Sequence, residues 1–503
     1  MFVWKFPFCP GKAKNMSEWI AWVALGGTND HGIGGNCGLL IHGDDSGAAP
    51  EILMVDDGFK FEDGHGKSYP VLDDFLPYIK GVLLTHSHGD HIGGISLRMP
   101  RTEVYPPIYG SQMTINVLEH NIEREVDERI VRGLARNVVA PRESFRVGGF
   151  EVEPVLVSHS SVESYGYHVK VAGRSVFFTG DFKWDLDMPL DSSTDVARLI
   201  EIGNAGLDVL FPDSTGADNP GFTPKEWAVA ADLEKLVRDN PQVTEFIMPI
   251  GATAHQHIAM LAAVAMRTGL PIVYEGKGLD NSLLDLFRSG YEMEKKYHGC
   301  RIVPANSALG QEIIGREDRR LCLGTGAQGE ENAFFAKALR GCNYNLRLDP
   351  VQSMVVNLSG VIPGNEKTAD FIFEKCRELG IRQAFAKASG HGASEDLLCM
   401  STALRPGVVI PLHGDRKKIA AHVALQQAAG HEAVATIGGQ VLLWRDGAVL
   451  PETIGFVDTA RMIARETGFV RGRNIYQYMR AEGWSKQPEN AHKITLPTWA
   501  PKP

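Results

Sequence analysis

Leu83 to Gly94 reads LLTHSHGDHIGG, and within it His86, His88, Asp90 and His91 place three imidazoles and a carboxylate in six consecutive positions. The run Val82-Leu83-Leu84 has the apolar character of a short buried strand, Thr85 leaves it, and the small pair Gly93-Gly94 closes the stretch. Histidines two apart in an extended loop can turn both rings to one side, and Asp90-His91 at the next bend can reach a second cation nearby. A polar surface loop with coincidental histidines is the competing reading. It is disfavoured because clustered imidazoles and carboxylates of this density are rarely left unpaired.

The neighbouring segments repeat one theme, a strand that ends in a ligand-type residue. Ile52 to Val55 ends in Asp56-Asp57-Gly58, Val155 to Val157 in Ser158-His159-Ser160, Ser175 to Thr179 in Gly180-Asp181, and Leu207 to Phe211 in Pro212-Asp213-Ser214-Thr215. A metal centre begun by His86-x-His88-x-Asp90-His91 needs a further histidine and a bridging carboxylate from other strand ends, and His159 and Asp181 are the natural suppliers. Upstream, Trp19 to Leu25 leads through the glycine-rich GGTNDHGIGGNCG (Gly26 to Gly38) into Leu39-Leu40-Ile41, a hairpin pattern. It is not a Walker loop, since no GK[ST] follows, nor a Rossmann fingerprint, since another strand follows. His31 in that loop reads as a solvent-exposed histidine, with ligation as the alternative. Ser111 to Val138 reads as a surface helix.

Past Gly216 the texture changes. Thr223 to Asp239 is an amphipathic helix, Phe246 to Pro249 a strand, Ile258 to Met266 a helix and Pro271 to Tyr274 a strand, an alternation that predicts a separate parallel α/β unit. The same region carries Lys277, Arg288, Arg301, Arg316, Arg319, Arg320, Arg340 and Arg347, either a solvated face or a groove that tracks phosphates. GTGAQGE (Gly324 to Glu330), SGVIPGNE (Ser359 to Glu366), SGHGASED (Ser389 to Asp396) and VVIPLHGD (Val408 to Asp415) are glycine-bearing loops, the last two presenting His391 and His413 at strand ends. A helix over roughly 457–480 and an extended end complete the chain.

The 503 residues, 44% of them hydrophobic, are enough for more than one core. The net charge of −10 excludes a protein coated in positive charge, so a nucleic-acid site would be local. Seven scattered cysteines without a CxxC pair suit a reducing compartment, and the cytoplasm is expected. Pro7 and Pro10 interrupt the apolar start, and no run of eighteen apolar residues predicts a membrane span.

Together these residues resemble the metallo-β-lactamase superfamily: Asp56 fits its first motif, His86-x-His88-x-Asp90-His91 the second, His159 the third and Asp181 the fourth. Asp213 in DST, His391 in SGH and His413 in PLHG resemble the motifs of the β-CASP nucleases. From about Ala24 to about Trp444, TGDFKWD, DST with PGFTPKE, TGAQGE, IPGNE, SGH and PLHGD are similar in order and spacing to the ribonuclease J family. The resemblance implies an α/β fold, an αββα sandwich over 1–217 and 369–450 interrupted by a parallel β-CASP domain over 218–368, with a helical or extended tail over 451–503. It implies two Zn²⁺, with Mn²⁺ as a substitute, one held by His86, His88 and His159, the other by Asp90, His91 and His413, with Asp181 bridging. It further implies hydrolysis of phosphodiester bonds in single-stranded RNA by a metal-activated hydroxide, with exonucleolytic and endonucleolytic modes both open.

In that scheme Asp56 and Asp213 orient ligands, as carboxylates behind metal-bound histidines do, and His391 contacts the phosphate or acts as a general acid. Asp56, Asp90, Asp181, Asp213 and His391 are the catalytic candidates, and Ser359, Gly360, Ser389, Gly390, His391, Ser394 and His255 the substrate-binding ones. Departures from the family are Gln256 in IGATAHQ (Ile250 to Gln256), where an arginine is usual, and Ala393 where a serine is usual, with Ser394 one position late. The family's C-terminal domain is not recognisable in the last fifty or so residues, which leaves open whether the chain forms a homo-dimer or a higher homo-oligomer. The rivals are a DNA exonuclease, a small ester or thioester hydrolase, and a non-catalytic RNA-binding subunit.

Overall fold

The structure is a computed structural model that describes residues 18–465 apart from 29–32, 47, 63–65, 103–104, 126–132, 331–332, 344, 347, 359, 362–364, 387, 446 and 458–461. His31 and Ser359, singled out above, and Arg347 lie outside the described residues.

Strand Glu18–Gly26 is apolar on both faces, and both faces are covered. Because side chains alternate across a strand, Ile20, Trp22 and Ala24 enter one core while Ala21, Val23 and Leu25 enter another. The strand lies inside an eight-stranded sheet, in the order Glu452–Phe456, Gln440–Trp444, Glu18–Gly26, Cys37–Asp44, Glu51–Val55, Ile79–Leu83, Ile108–Gly110 and Arg136–Val138. A six-stranded sheet faces it, in the order Pro406–Val409, Leu207–Phe211, Arg174–Phe178, Tyr165–Val171, Phe150–Leu156 and Phe145–Val147. Between them the Trp22 indole packs 4.9 Å from Phe178 and 4.6 Å from Phe211, with Leu40, Val55, Leu83, Tyr167 and Val209 filling the same layer. Helices Gly89–Arg98 and Gln112–Glu125 cover the outer face of the first sheet. Val196–Ala205 and Ser394–Leu404 cover the second. The layering is helix, sheet, sheet, helix.

Strands Glu51–Val55 and Ile79–Leu83 run parallel, as do Arg174–Phe178, Leu207–Phe211 and Pro406–Val409. Their carboxyl ends, followed by Asp56, His86, Asp181, Asp213 and His413, meet along one rim of the sandwich.

The interrupting unit is a fully parallel six-stranded sheet, ordered Ile302–Pro304, Ile272–Glu275, Arg320–Thr325, Glu245–Ile250, Ser353–Asn357 and Arg382–Phe385. Its last strand lies beyond residue 368. A parallel pair needs a long crossover, and helix Glu366–Glu378 supplies the one from Ser353–Asn357 to Arg382–Phe385, so the sheet runs on to Phe385. One face of this unit is continuous with the core under the first sheet.

Two helical expectations are corrected. Within 111–138 a helix occupies Gln112–Glu125, residues 126–132 lie outside the described residues, and Arg136–Val138 is an edge strand, where β-branched Val138-Val139 ahead of Pro141 favours extended backbone. In the tail, Met462–Arg465 is a strand paired antiparallel with Gly66–Pro70, because an open strand edge offers backbone partners that outweigh a helical pattern. The rest of the expected helix lies outside the described residues. Among the described residues no helix is long and apolar enough to cross a membrane.

Candidate metal centre

Strand Ile79–Leu83 releases the chain at Leu84, and His88 caps the helix that begins at Gly89. The turn thus carries His86 and His88 before the helix, with Asp90 and His91 in its first turn. That helix sits tightly on the loop after Val55: a Cβ at Gly58 would lie 1.6 Å from the Asp90 carbonyl oxygen, so only glycine fits. The two adjacent aspartates of this loop divide their work. Asp57 receives a bidentate pair from Arg98 at 2.8 and 2.9 Å and the Tyr105 hydroxyl at 2.7 Å, all buried. Asp56, at φ 61°, turns the other way and accepts from the Thr85 N–H at 2.8 Å while facing His91 Nδ1 at 2.8 Å.

These contacts fix which ring nitrogens face inward. Asp56 takes the Nδ1 proton of His91, and Thr85 Oγ1 is 3.0 Å from His86 Nδ1. The Gly390 carbonyl accepts from His159 Nδ1 at 2.7 Å. Each ring is left with Nε2 turned to the centre, the orientation that a hydrogen bond behind a metal-binding histidine imposes. His88 presents Nδ1 instead, 3.0 Å from His86 Nε2 and 3.1 Å from His159 Nε2. Burial holds His86 and His159 well below the usual histidine range and His88 down at about 4. Three neutral nitrogens therefore converge with at most one proton among them, which suits a cation.

A second group adjoins the first. Asp90 Oδ2 lies 3.6 Å from His91 Nε2 and 3.4 Å from His413 Nε2. Asp181 Oδ2 stands between the groups, 3.2 Å from His91 Nε2, 3.6 Å from His86 Nε2 and 3.9 Å from His159 Nε2. Burial opposes charge here, but the surrounding carboxylates win: Asp181, Asp56 and Asp90 raise His91 well above its usual range, and Asp181 leads in raising His413 to about 10. Asp90 and Asp181 are correspondingly held low despite burial. Protons thus stand where a divalent cation would displace them. Asp181 Oδ1 and His413 Nε2 are buried without a hydrogen-bond partner, as ligand atoms awaiting a cation would be. The donor set of imidazoles and carboxylates fits zinc or manganese.

Asp213 reaches two histidines, His413 Nδ1 through Oδ1 at 3.1 Å and His391 Nδ1 through Oδ2 at 2.8 Å. Burial works against charge on His391, yet Asp213 and Asp181 raise it above the usual range. Its ring is 25% exposed, against 2% for Asp181, so it faces the solvent side of the centre.

All seven expected ligands thus come together, with Asp56, Asp213 and His391 around them. The substrate-binding candidates are more dispersed. Gly390 is buried, and a Cβ there would lie 2.5 Å from His159 Cε1. Ser389 Oγ accepts from the His391 N–H at 3.1 Å and shapes the turn. Ser394 Oγ accepts from the Gly221 N–H, and Ala393 is buried. Gly360 is exposed, and its carbonyl accepts from Gln328 of GTGAQGE at 3.0 Å, joining two of the glycine-bearing loops. His255 is wholly buried, neither ring nitrogen has a hydrogen-bond partner, and burial lowers it to about 3. It presents no surface to a substrate.

Of the basic residues read as either a solvated face or a phosphate groove, three have partners within the protein. Arg319 donates to the carbonyls of Val237, Asn240 and Val243, Arg320 is buried against Glu245, and Arg316 pairs with Glu312. The first two serve the fold because they follow one another where a strand begins beneath a helix end. Asn36 was not singled out from the sequence. Its Nδ2 lies 3.0 Å from His91 Nε2 and 3.4 Å from Asp90 Oδ2, and only its place at the end of the glycine-rich loop hints at this.

Residues 54–218, the span carrying every expected ligand except His413, match the model described as "Beta-lactamase superfamily domain". Along most of its length the chain is similar to ribonuclease J. It is 29% identical over 435 residues to the Ribonuclease J of Sinorhizobium meliloti, covering 83% of this chain and 72% of that protein. It is 27% identical to the Ribonuclease J2 of Bacillus subtilis, covering 83% and 73%. For the Ribonuclease J of Synechocystis sp. the identity is 27% over 482 residues, covering 90% and 71%. These ribonuclease J matches extend beyond the lactamase-like part and must take in the interrupting sheet. A crystal structure of a protein of unknown function from Enterococcus faecalis V583 superposes with a TM-score of 0.55 at 14% identity, covering 85% of this chain and all of that one, and so shares the fold.

Proposed function

We propose that this chain is a metal-dependent ribonuclease of the ribonuclease J type that hydrolyses phosphodiester bonds of single-stranded RNA. The observation that carries this reading is Asp181, a single buried carboxylate standing between two groups of ligand-type side chains on one rim. His86, His88 and His159 would hold one cation and Asp90, His91 and His413 the other, with Asp181 shared, and zinc is the ion we assign, manganese its substitute. Two such cations, when bound, lower the pKa of a water from about 15.7 towards about 7 and neutralise charge on the oxygens of a phosphodiester.

The chain's own residues do the rest. Asp56, Thr85 and the Gly390 carbonyl hold the protons on the outer ring nitrogens of His91, His86 and His159, so that the inner ones stay free. Asp213 fixes the Nδ1 side of His391 and favours its charged form, leaving a positively charged ring on the open side. There it can donate a hydrogen bond to a phosphate oxygen or pass a proton to the leaving 3′-oxygen. A polynucleotide fits better than a small ester, since the Gln328 side chain donates to the Gly360 carbonyl and so ties together two glycine-bearing loops that follow strands Arg320–Thr325 and Ser353–Asn357 of the interrupting sheet. The seven scattered cysteines without a CxxC pair accord with a cytoplasmic enzyme.

The test supplies Zn²⁺ or Mn²⁺ to the purified protein with end-labelled single-stranded RNA bearing a 5′-monophosphate, 5′-triphosphate or 5′-hydroxyl, beside matched DNA. Cleavage of RNA, abolished by Asp90→Ala, is expected. Cleavage of DNA alone, or turnover of a small ester with every polynucleotide left intact, would overturn the reading.

A further inference from the structure

His159 and Asp181 come from neighbouring strand ends, and the residues beside them are tied to the interrupting unit. Ser158 and Lys183 form an isolated antiparallel bridge, the Lys183 N–H donating to the Ser158 carbonyl at 2.8 Å, so the two loops already hold one another. The Lys183 ammonium, 1% exposed, donates to Glu226 Oε1 at 2.7 Å and lies 3.5 Å from Asp185. Glu226 opens helix Glu226–Asp239, and its own N–H donates to Asp185 Oδ2 at 2.9 Å. Helix His255–Thr268 makes the second attachment. The Gln256 N–H donates to the Ser160 carbonyl at 3.0 Å, and Gln256 Oε1 accepts from the Leu190 N–H at 2.9 Å. Ser160 Oγ in turn lies 3.4 Å from His88 Nε2, and His257, next to Gln256, lies 3.6 Å from Glu226.

A buried ion pair is a poor way to gain stability, since taking both charges out of water costs about as much as their attraction returns. Its value lies in geometry, because an apolar contact can slide while a paired lysine and glutamate have one arrangement. Gln256 is likewise fully buried. It stands where the resemblance implies an arginine, and its side chain is spent on the backbone of the loop after Asp181.

We propose that Gln256 and the Lys183–Glu226 pair are positioning residues for the metal ligands: they fasten the loops bearing His159 and Asp181 to the first two helices of the interrupting unit and so hold His88, His159 and Asp181 at cation-binding separations. This rests on the reading of these groups as a metal centre. It makes the interrupting sheet part of the centre's scaffold, so that a strain on its helices reaches the ligands through two short loops.

The test compares the parent with Lys183→Met/Glu226→Met, which removes both charges together, and with Gln256→Met, which removes only the acceptor for Leu190. Each protein is stripped with chelator and refilled with Co²⁺. The readouts are the visible absorption of the bound cobalt, its dissociation constant, thermal unfolding of the metal-free form, and kcat and KM on RNA. The expected result is metal-free proteins that unfold cooperatively within a few degrees of the parent, with a changed cobalt spectrum and a dissociation constant raised about 10-fold to 100-fold. With it, kcat falls while KM is unchanged. Folded variants with the parent's cobalt spectrum and affinity would overturn the proposal. Should the double variant fail to fold, Gln256→Met, which keeps the ion pair, decides on the same readouts. A parent that takes up no cobalt contradicts the metal-centre reading itself, a different failure from variants that match a cobalt-binding parent.

Discussion

At the scale of single residues, the clearest signals were side chains whose chemistry is costly to bury. His86, His88, Asp90 and His91 stand together in the sequence, and Asp56, Asp181, Asp213 and His413 each follow a strand, so their convergence was legible. Gly390 was read from the sequence as a substrate-binding candidate beside His391, not as a partner of His159. Its contribution is a carbonyl and an absent side chain, brought against His159 from 231 positions away, which local sequence does not reveal. Gly390→Ala would drive a methyl group into the His159 ring. We expect metal affinity to fall about 10-fold to 100-fold, the range for losing a partner behind a metal ligand, read as the chelator concentration that strips the protein. Asp57 is a contrasting case. Although it stands beside Asp56 at the same strand end, it anchors Arg98, whose guanidinium is 3% exposed. Asp57→Ala leaves that charge short of its carboxylate and should cost about 3–5 kcal/mol in denaturant unfolding. A cost below about 1 kcal/mol would show the pair to be dispensable.

At the scale of elements, strands with a continuous apolar run and helices with a clear apolar face were found close to their observed ends, as with Leu207–Phe211 and Glu226–Asp239. Elements that depend on a distant partner were not. Arg136–Val138 and Met462–Arg465 are strands because other strands offer an edge, and nothing in their own residues states where that edge lies. Helix Glu226–Asp239 makes a prediction of its own. Burial alone would raise the Glu226 carboxyl, but His257 and Lys183 bring it down to about 2 from a usual 4.5. A lowered carboxyl adds stability that is complete above pH 4.5 and is lost as pH falls towards 2. Glu226→Gln should therefore cost about 3 kcal/mol at neutral pH, since it leaves the buried Lys183 charge only the more distant Asp185 carboxylate, at 3.5 Å. That difference from the parent should shrink steadily below pH 4.5. Unfolding free energies measured across that range check this, and a cost that does not change with pH would contradict it.

At the scale of the whole molecule, two sheets stacked face to face bring parallel strand ends to one rim, the place where strand carboxyl ends gather ligands in α/β proteins. The order of ligands along the chain showed that such a rim exists. The sequence did not show that the interrupting sheet would continue to Phe385 or share a core with the sandwich, because parallel neighbours are set by crossovers rather than by local pattern. The central claim is that this rim holds two cations that together make the chain a ribonuclease. Its most direct test is to strip the protein of metal and titrate Zn²⁺ or Mn²⁺ back while following cleavage of 5′-monophosphorylated single-stranded RNA. The account predicts no cleavage without metal and a rate that reaches its plateau at two equivalents per chain. Cleavage that persists after stripping, or that reaches its plateau at a single equivalent, would contradict it.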